Sequence, residues 1–415
     1  MTAATPALPR HIELDALRGF AVMGILLMNI IAFALPELAY INPAIHGSSS
    51  GADTISWFLS FIFVDGKMRG LFTLLFGASM MLIIARAEAK GENAAKVHFS
   101  RMGWLALFGL AHFFLIWFGD ILFLYAVIGC LAWFVADWDS DELIRKGVLI
   151  YAMGFVAWLL FMGSMFFLQY QAQMADPGSA TDISFQEMIG ELTLSPAKIA
   201  QEIAIYQGSW FEIVMDKVEN YWFEPLFLVF TSGLETLPLM MLGMALYKNG
   251  FMTGQWESGR YRSLGLRLTG WGLVLIVPLA ALVYWSGFDP LITFNAILAW
   301  SIPSRLLLTI GFAALLILLI QRLAHHAILQ RIAAAGRVAF SNYLGTSILM
   351  TFIFYGWGLG LFGQFGRAEL YLFVIATWVL MLLWSKPWLS HFRYGPLEWL
   401  WRSLARGEVQ KLPIR

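Results

Sequence analysis

Apolar runs of 18 or more residues recur along the chain, and charged residues gather in the short stretches between them. The pattern predicts ten spans: 17–36, 68–87, 101–118, 120–137, 146–169, 224–247, 265–286, 303–321, 338–357 and 368–386. Runs of this length match the apolar thickness of a bilayer when wound as helices. A helix also satisfies its own backbone where water is absent. The expected fold is therefore all-α: a polytopic helical membrane protein with about ten transmembrane helices, forming one integral domain over residues 1–415. No small-residue cleavage site follows Leu35, so the first run reads as a span and not as a signal peptide.

Three segments depart from the simple alternation. Residues 54–87 are interrupted by VDGKMRG and residues 291–321 by SIPSR. Glycine or proline beside a charge inside an apolar run predicts a helix broken at the outer boundary. The connector 170–223 is long and acidic, carrying eight Asp and Glu. Its apolar residues recur at helical spacing, and Ser195-Pro196 marks a helix start. It predicts one or two amphipathic helices on the outer surface, either a packing lid or a cap over an acceptor site.

Composition supports the membrane reading. The chain is 59% hydrophobic and 13% charged, with zero net charge, so nothing in its bulk charge points to a nucleic-acid partner. Cys130 is the sole cysteine, which excludes an intrachain disulfide. Charge distribution sets orientation. Twenty-one Lys and Arg fall on one set of connectors and termini, against Lys198, Lys217 and Arg367 on the other; Lys67, Arg69 and Arg305 sit near span ends. Both termini are expected in the cytoplasm, with 387–415 as a cytoplasmic tail.

Ionisable groups inside a membrane are costly, so each one is a candidate for function. In LDALRGFAVMGILLMNI, Arg18 and Asn29 are eleven residues apart. That spacing puts them within roughly 20° of one helix face and roughly 16 Å apart along it. His112 lies in the outer half of the third span, in GLAHFFLIWFGD. A buried neutral imidazole suits a general base, and equally suits a hydrogen bond between two helices. Asp120 is eight residues on, about 12 Å along a straight helix, so it reaches His112 only if the helix ends early. Lys67, Arg69 and Asp120 fall near the outer boundary, as ion pairs securing the break or as an anion-binding cluster at a cavity mouth. Glu235 lies mid-span and needs a partner or a proton, with Arg305 one candidate. Ser341 and Asn342 read as hydrogen-bonding glue between helices, and RYGPLEWLWR as an interfacial anchor. Gly24, Gly77, Gly109 and Gly129 mark close helix packing. No phosphate-cradling loop, metal-ligand spacing or GxSxG elbow is found.

LDALRGFAVMGILLMNI, FVDGKMRGLFTLLFGASM, GLAHFFLIWFGDILFLYAVIG, GRVAFSNYLGTS and RYGPLEWLWR together resemble the bacterial YeiB-like membrane family over nearly the whole chain. That family is similar to the transmembrane acyltransferase superfamily, which includes the acyltransferase-3 proteins and heparan-α-glucosaminide N-acetyltransferase. The resemblance implies a multi-pass protein of the bacterial inner membrane. It would take an acyl group from cytoplasmic acyl-CoA, such as acetyl-CoA, and pass it to an acceptor outside. Acyltransferase-3 proteins carry an arginine and, eleven residues later, a histidine; the matching positions here are Arg18 and Asn29. The heparan-glucosaminide enzymes carry asparagine there and a histidine shortly after the first span, nearest to His46 here. On this reading Arg18 meets the anionic donor, with Lys67 and Arg69 as further donor-binding cations. Asn29 polarises the acyl carbonyl, and His112 or His46, with Asp120, acts as base.

Two other classes stay open. A transporter of a lipid or small anion would use the same broken helices and buried charges and would move its substrate without covalent change. A non-catalytic scaffold would use Arg18, Asn29 and His112 only to join helices. A monomer or homodimer in the lipid bilayer fits each of the three.

Overall fold

The computed structural model describes residues 11–48 and 50–414. Of the charges used above to set orientation, Arg10 and Arg415 lie outside the described residues. The described residues form helices and no strand, apart from one isolated bridge between Phe392 and Pro413.

Helix α1 (Ile12–Ala34) is mostly apolar, apart from Glu13, Asp15, Arg18 and Asn29, and is buried along most of its length. It is followed by the short α2 (Glu37–Ile41), then α3 (Gly51–Phe63) and α4 (Lys67–Ala89). The break expected at VDGKMRG separates α3 from α4. Gly66 adopts φ +71°, and a Cβ there would lie 2.5 Å from the Arg305 Cδ, so both conformation and space require glycine. Next come α5 (Ala94–Leu115), α6 (Leu122–Trp133) and α7 (Ser140–Met174). Helix α6, at 12 residues, is too short to cross a bilayer.

The acidic connector forms three helices and not one or two: α8 (Ala180–Thr193), α9 (Pro196–Tyr206) and α10 (Trp210–Asn220). Ser179, Ser195 and Ser209 each cap one of them through the side-chain oxygen, and the Ser195-Pro196 start is as read. Residues 170–174, assigned above to the connector, continue α7, because nothing in QYQAQM stops a helix.

The remaining helices are α11 (Glu224–Lys248), α12 (Ser258–Trp285), α13 (Pro290–Asn295), α14 (Ile302–Leu323), α15 (Ala327–Arg337), α16 (Ala339–Phe354), α17 (Arg367–His391) and α18 (Pro396–Arg406). The second expected break is present: α13 passes through a π-turn, Ala296–Trp300, before α14 begins beyond Ser301. The tail starts five residues later than expected, since Pro387 is carried inside α17.

Among the described residues, seven helical stretches, against ten spans expected, are long and apolar enough to cross a membrane, with α3 and α4 counted together; α6, α16 and the 290–300 segment are shorter. The largest packing pairs are α12 on α14, α11 on α4 and α7, and α1 on α15. Small residues allow the closest of these. A Cβ on Gly77 would lie 2.1 Å from the Met240 carbonyl oxygen, and one on Gly336 would lie 1.9 Å from that of Asp15.

Candidate functional site

The site begins at the α5–α6 hairpin. Helix α5 stops at Leu115 because the Ile116 and Trp117 amides both turn back to the His112 carbonyl, at 3.0 and 2.8 Å. The chain then reverses through Gly119 and brings Asp120 beside His112. Asp120 Oδ1 lies 2.9 Å from His112 Nδ1, and Asp120 Oδ2 accepts from the Phe123 amide at 2.9 Å, capping α6. The 12 Å separation of a straight helix is thus removed by the early stop. Both side chains are buried. The ring sits between Trp117 and Tyr343, 6.1 and 5.3 Å away between centroids. A carboxylate on Nδ1 selects the Nδ1–H tautomer and leaves the Nε2 lone pair available. His112 Nε2 has no hydrogen-bond partner among the described residues.

Two cavities approach this pair from opposite ends. The first, about 460 Å³, opens at the arginine-rich end. Arg18, Arg86, Arg101, Arg337, Arg393 and Arg402 line it, and it runs inward to Tyr125 and Tyr343. Arg18 donates to Ser79 Oγ at 2.8 Å and pairs with Asp15 at 3.4 Å. Arg101 stacks on Trp401, its Cζ 4.0 Å from the ring centroid, and Arg402 on Tyr394 at 4.6 Å. Arg86, Arg101, Arg393 and Arg402 form no ion pair with any described carboxylate. Burial, opposed by Tyr394 and reinforced by Arg86, pushes the Arg402 pKa down. Apart from Asp15, the one other carboxylate in the lining is Glu398. It is occupied in capping α16, accepting from the Phe340 and Ser341 amides at 2.7 and 3.2 Å and from Ser341 Oγ at 2.5 Å.

Several of these residues were not singled out from the sequence. RYGPLEWLWR forms a cavity wall as well as an anchor: Arg393, Tyr394, Glu398, Trp401 and Arg402 line the cavity at spacings of one, four, three and one. That periodicity was the available signal.

The second cavity, about 370 Å³, lies at the acidic end. Asn29, Glu37, Tyr40, Asp65, Arg69, Asp120, Glu224, Ser232 and Arg305 contribute polar groups to its lining, with Trp117, Phe118 and Leu228 among the apolar ones. Arg18 and Asn29 share α1 but open into different cavities, so the polar stripe is divided. Ile121 lines both cavities and stands in the partition between them.

Of Lys67, Arg69 and Asp120, the last two line the second cavity and Lys67 does not, and each has its own local partners. Lys67, fully buried, donates to the Phe61 carbonyl at 2.5 Å, closing the end of α3. Arg69 pairs with Glu235, and Arg305 bridges Asp65 at 3.7 Å and Glu235 at 3.8 Å. Glu235 thus has the partner expected, with a second beside it. Neither His46 nor His112 lines a cavity: His46 Nε2 meets the Gly363 carbonyl at 3.0 Å, while His112 lies behind Asp120, which lines the second cavity, and Tyr343, which lines the first. Asn342 is helix glue as read, donating to Ala335 O and accepting from Trp384 Nε1 at 2.9 Å.

The acidic connector reaches the same hairpin. Trp210 Nε1 donates to the Leu115 carbonyl at 2.8 Å and Lys217 Nζ to that of Phe113 at 3.2 Å, so α10 caps the end of α5. Burial pushes the Lys217 ammonium down to about 7. Once released, this lysine holds its proton up to its usual range near 10.4. Docking therefore sheds a proton between those values and strengthens as pH rises from about 7, by up to about tenfold per unit. Hydrogen exchange of α10 amides, corrected for intrinsic rate, is expected to slow over that window in the wild type and to lose this trend in Lys217→Met.

These features define a class: an all-helical polytopic membrane protein with two opposed cavities that share a wall at Ile121, next in sequence to a buried histidine–carboxylate pair. The chain belongs to the YeiB-like family. Residues 246–408 match the family described as protein of unknown function (DUF418). Uncharacterized protein YeiB of Escherichia coli (strain K12) is 33% identical over 406 residues, covering 95% of this chain and 96% of that one. Uncharacterized protein YxaH of Bacillus subtilis (strain 168) is 30% identical, covering 94% and 92%. No solved structure matches.

Proposed function

We propose that the protein transfers an acyl group from cytoplasmic acyl-CoA to an acceptor on the far side of a bacterial inner membrane. The observation that carries this reading is His112, unpartnered at Nε2 and set between Asp120, which lines the second cavity, and Tyr343, which lines the first. The lysine and arginine bias assigns the arginine-lined cavity to the cytoplasm. Its arginines and aromatic rings suit the phosphates and adenine of a CoA thioester. Resemblance to the transmembrane acyltransferases supplies the reaction class, which a fold alone does not.

In the reaction, His112 Nε2 takes the proton of an acceptor hydroxyl or amine, and the freed electron pair attacks the thioester carbonyl. The Asn29 amide, facing the outer cavity, is the donor for the developing oxyanion. The C–S bond breaks, the proton returns from the imidazolium to the sulfur, and free CoA leaves to the cytoplasm. Asp120 fixes the tautomer and balances the imidazolium charge. Arg69 and Lys67, engaged elsewhere, have no donor-binding part in this scheme, and neither has His46.

The test has two arms. Calorimetry on purified protein is expected to register acetyl-CoA binding, weakened about tenfold or more in Arg101→Ala, which removes a charge-assisted contact. Inside-out vesicles given acetyl-labelled acetyl-CoA are expected to accumulate a labelled luminal product. Absence of both overturns the proposal. A second reading, export of a small anion, draws on the same arginine-lined cavity and predicts luminal label that is chemically unchanged.

A further inference from the structure

We propose that the cavity at the acidic end binds an amphiphile whose polar end is a cationic nitrogen, with Glu37 and Glu224 as its anionic partners. This rests on the acyl-transfer reading for the name acceptor, but not for the binding itself.

The argument starts from what each polar group in the cavity already does. Asp120 is committed to His112, Asp65 to Arg305, and Arg69 to Glu235. Those charges are balanced in place. Glu37 and Glu224 form no ion pair with any described residue, and both line the cavity. The side chains of Asn29, Tyr40 and Ser232, also in the lining, make no hydrogen bond to a described residue. Five polar side chains therefore converge on one apolar chamber with their bonding capacity unused, the usual form of a ligand site.

The sign of the missing partner follows from the neighbours. Glu37 is surrounded by Glu202 and Tyr206 from α9, Tyr221 beyond α10, Glu224 of α11 and Tyr355 beyond α16; no lysine or arginine is among them, and the basic group acting on the cluster is His46, through Glu202. Glu37 keeps an exposed face, and the packing around its carboxyl, followed by the Glu202 and Glu224 carboxylates, pushes it up to about 7. A cation placed there relieves that cost. The approach is negative too: of the two lysines in the acidic connector, Lys198 is paired with Glu191 and Lys217 is buried on α10. Such a field draws cations inward.

The apolar half of the ligand follows from the walls. Trp117, Phe118, Phe123 and Leu124 line the chamber, and aromatic faces attract ammonium groups. The first turns of α11 give Pro225, Leu228 and Ser232 to the chamber, while Phe227 and Phe230 on the same turns are exposed to the surroundings of the helices. An amphiphile fits a chamber walled off from lipid by one helix. A lipid amine and a soluble amine share the cationic nitrogen and differ in the apolar chain.

The probe is tritiated hexylamine, bound to the full chain in phosphatidylcholine nanodiscs, with empty nanodiscs subtracted. Saturable binding is expected, displaced about tenfold less well by ethanolamine or hexanol than by unlabelled hexylamine. Glu37→Gln/Glu224→Gln, which keeps size and shape, is expected to reduce affinity tenfold or more. Displacement by hexanol equal to that by hexylamine, or full binding in the double variant, overturns the cationic site. Equal displacement by ethanolamine overturns the amphiphile. Acetyl-CoA binding is measured on the same samples. If it is retained while hexylamine fails, this inference falls and the acyl-transfer reading stands; the reverse result spares the amine site. Retained acetyl-CoA binding in the double variant also establishes that the variant is folded.

Discussion

Asp120→Asn is expected to lower acyl transfer by about a thousandfold or more while acetyl-CoA binding changes less than about twofold. The size comes from tautomer control, whose loss in related arrangements costs about 10⁴ in rate. Asp120 Oδ1 accepts the Nδ1 proton of His112, leaving Nε2 as the base. An amide whose nitrogen faces the imidazole donates to Nδ1 and drives the proton to Nε2, where it blocks proton removal. The substitution is gentle to the fold, because asparagine keeps an oxygen for the Phe123 amide that Asp120 now caps. His112→Ala removes the base outright and is expected to match it, with the two losses failing to add in the double variant. The measurement is initial rate of label transfer beside calorimetric acetyl-CoA affinity. A scaffold role for the pair predicts no loss of transfer beyond the loss of folded protein, and full activity in Asp120→Asn removes His112 from the mechanism.

Gly336→Val is expected to lower Tm in detergent by about 5 °C or more and to reduce the yield of folded protein. Overpacking a tight core costs about 1–3 kcal/mol where side chains can yield, and here they cannot. A Cβ on Gly336 would stand 1.9 Å from the Asp15 carbonyl oxygen and 2.5 Å from the Gly19 amide nitrogen. A Cβ on Gly19 would stand 2.1 Å from the Ile332 carbonyl oxygen. Backbone meets backbone on both sides, so α1 and α15 must separate. The same contact positions Arg18 and Arg337 on the arginine-lined cavity, so donor affinity is expected to fall together with Tm. Gly345→Ala is the control. Nothing lies within 4 Å of its Cβ position, and alanine favours a helix interior, so Tm is expected to hold or rise slightly. Equal Tm in Gly336→Val and wild type would mean that α1 and α15 do not pack this closely.

Each of the ten spans read from apolar runs falls on a helix, because run length and the need to close backbone hydrogen bonds are local constraints. The breaks at VDGKMRG and SIPSR were legible for the same reason: Gly66 and Pro303 act on their own turn. Helix α15 was not legible. Its eleven residues are short and rich in alanine, and it is buried by the closeness of α1, a fact of packing that composition does not carry.

The site divides in the same way. His112, Asp120, Arg18 and Asn29 stood out as polar groups in apolar runs. Their arrangement did not. The His112–Asp120 contact depends on where α5 stops, and two amides turning back to one carbonyl decide that. The separation of Arg18 from Asn29 into two cavities depends on Ile121, a residue with no chemistry of its own. Arg101 and Trp401 stack although 300 positions apart, a pairing that only the folded chain reveals.

The shared wall at Ile121 has an electrical consequence. A transmembrane potential contributes about 2.3 kcal/mol per elementary charge per 100 mV. In plain bilayer that drop is spread over about 30 Å of hydrocarbon. Where water-accessible chambers enter from both ends, most of it falls across the layer between them, beside the His112–Asp120 pair. A neutral acyl group crosses that layer without electrical work. A proton that enters from one side and leaves on the other does not, so under the proposed acyl transfer a membrane voltage would act on the proton handled by His112 and leave the acyl group untouched.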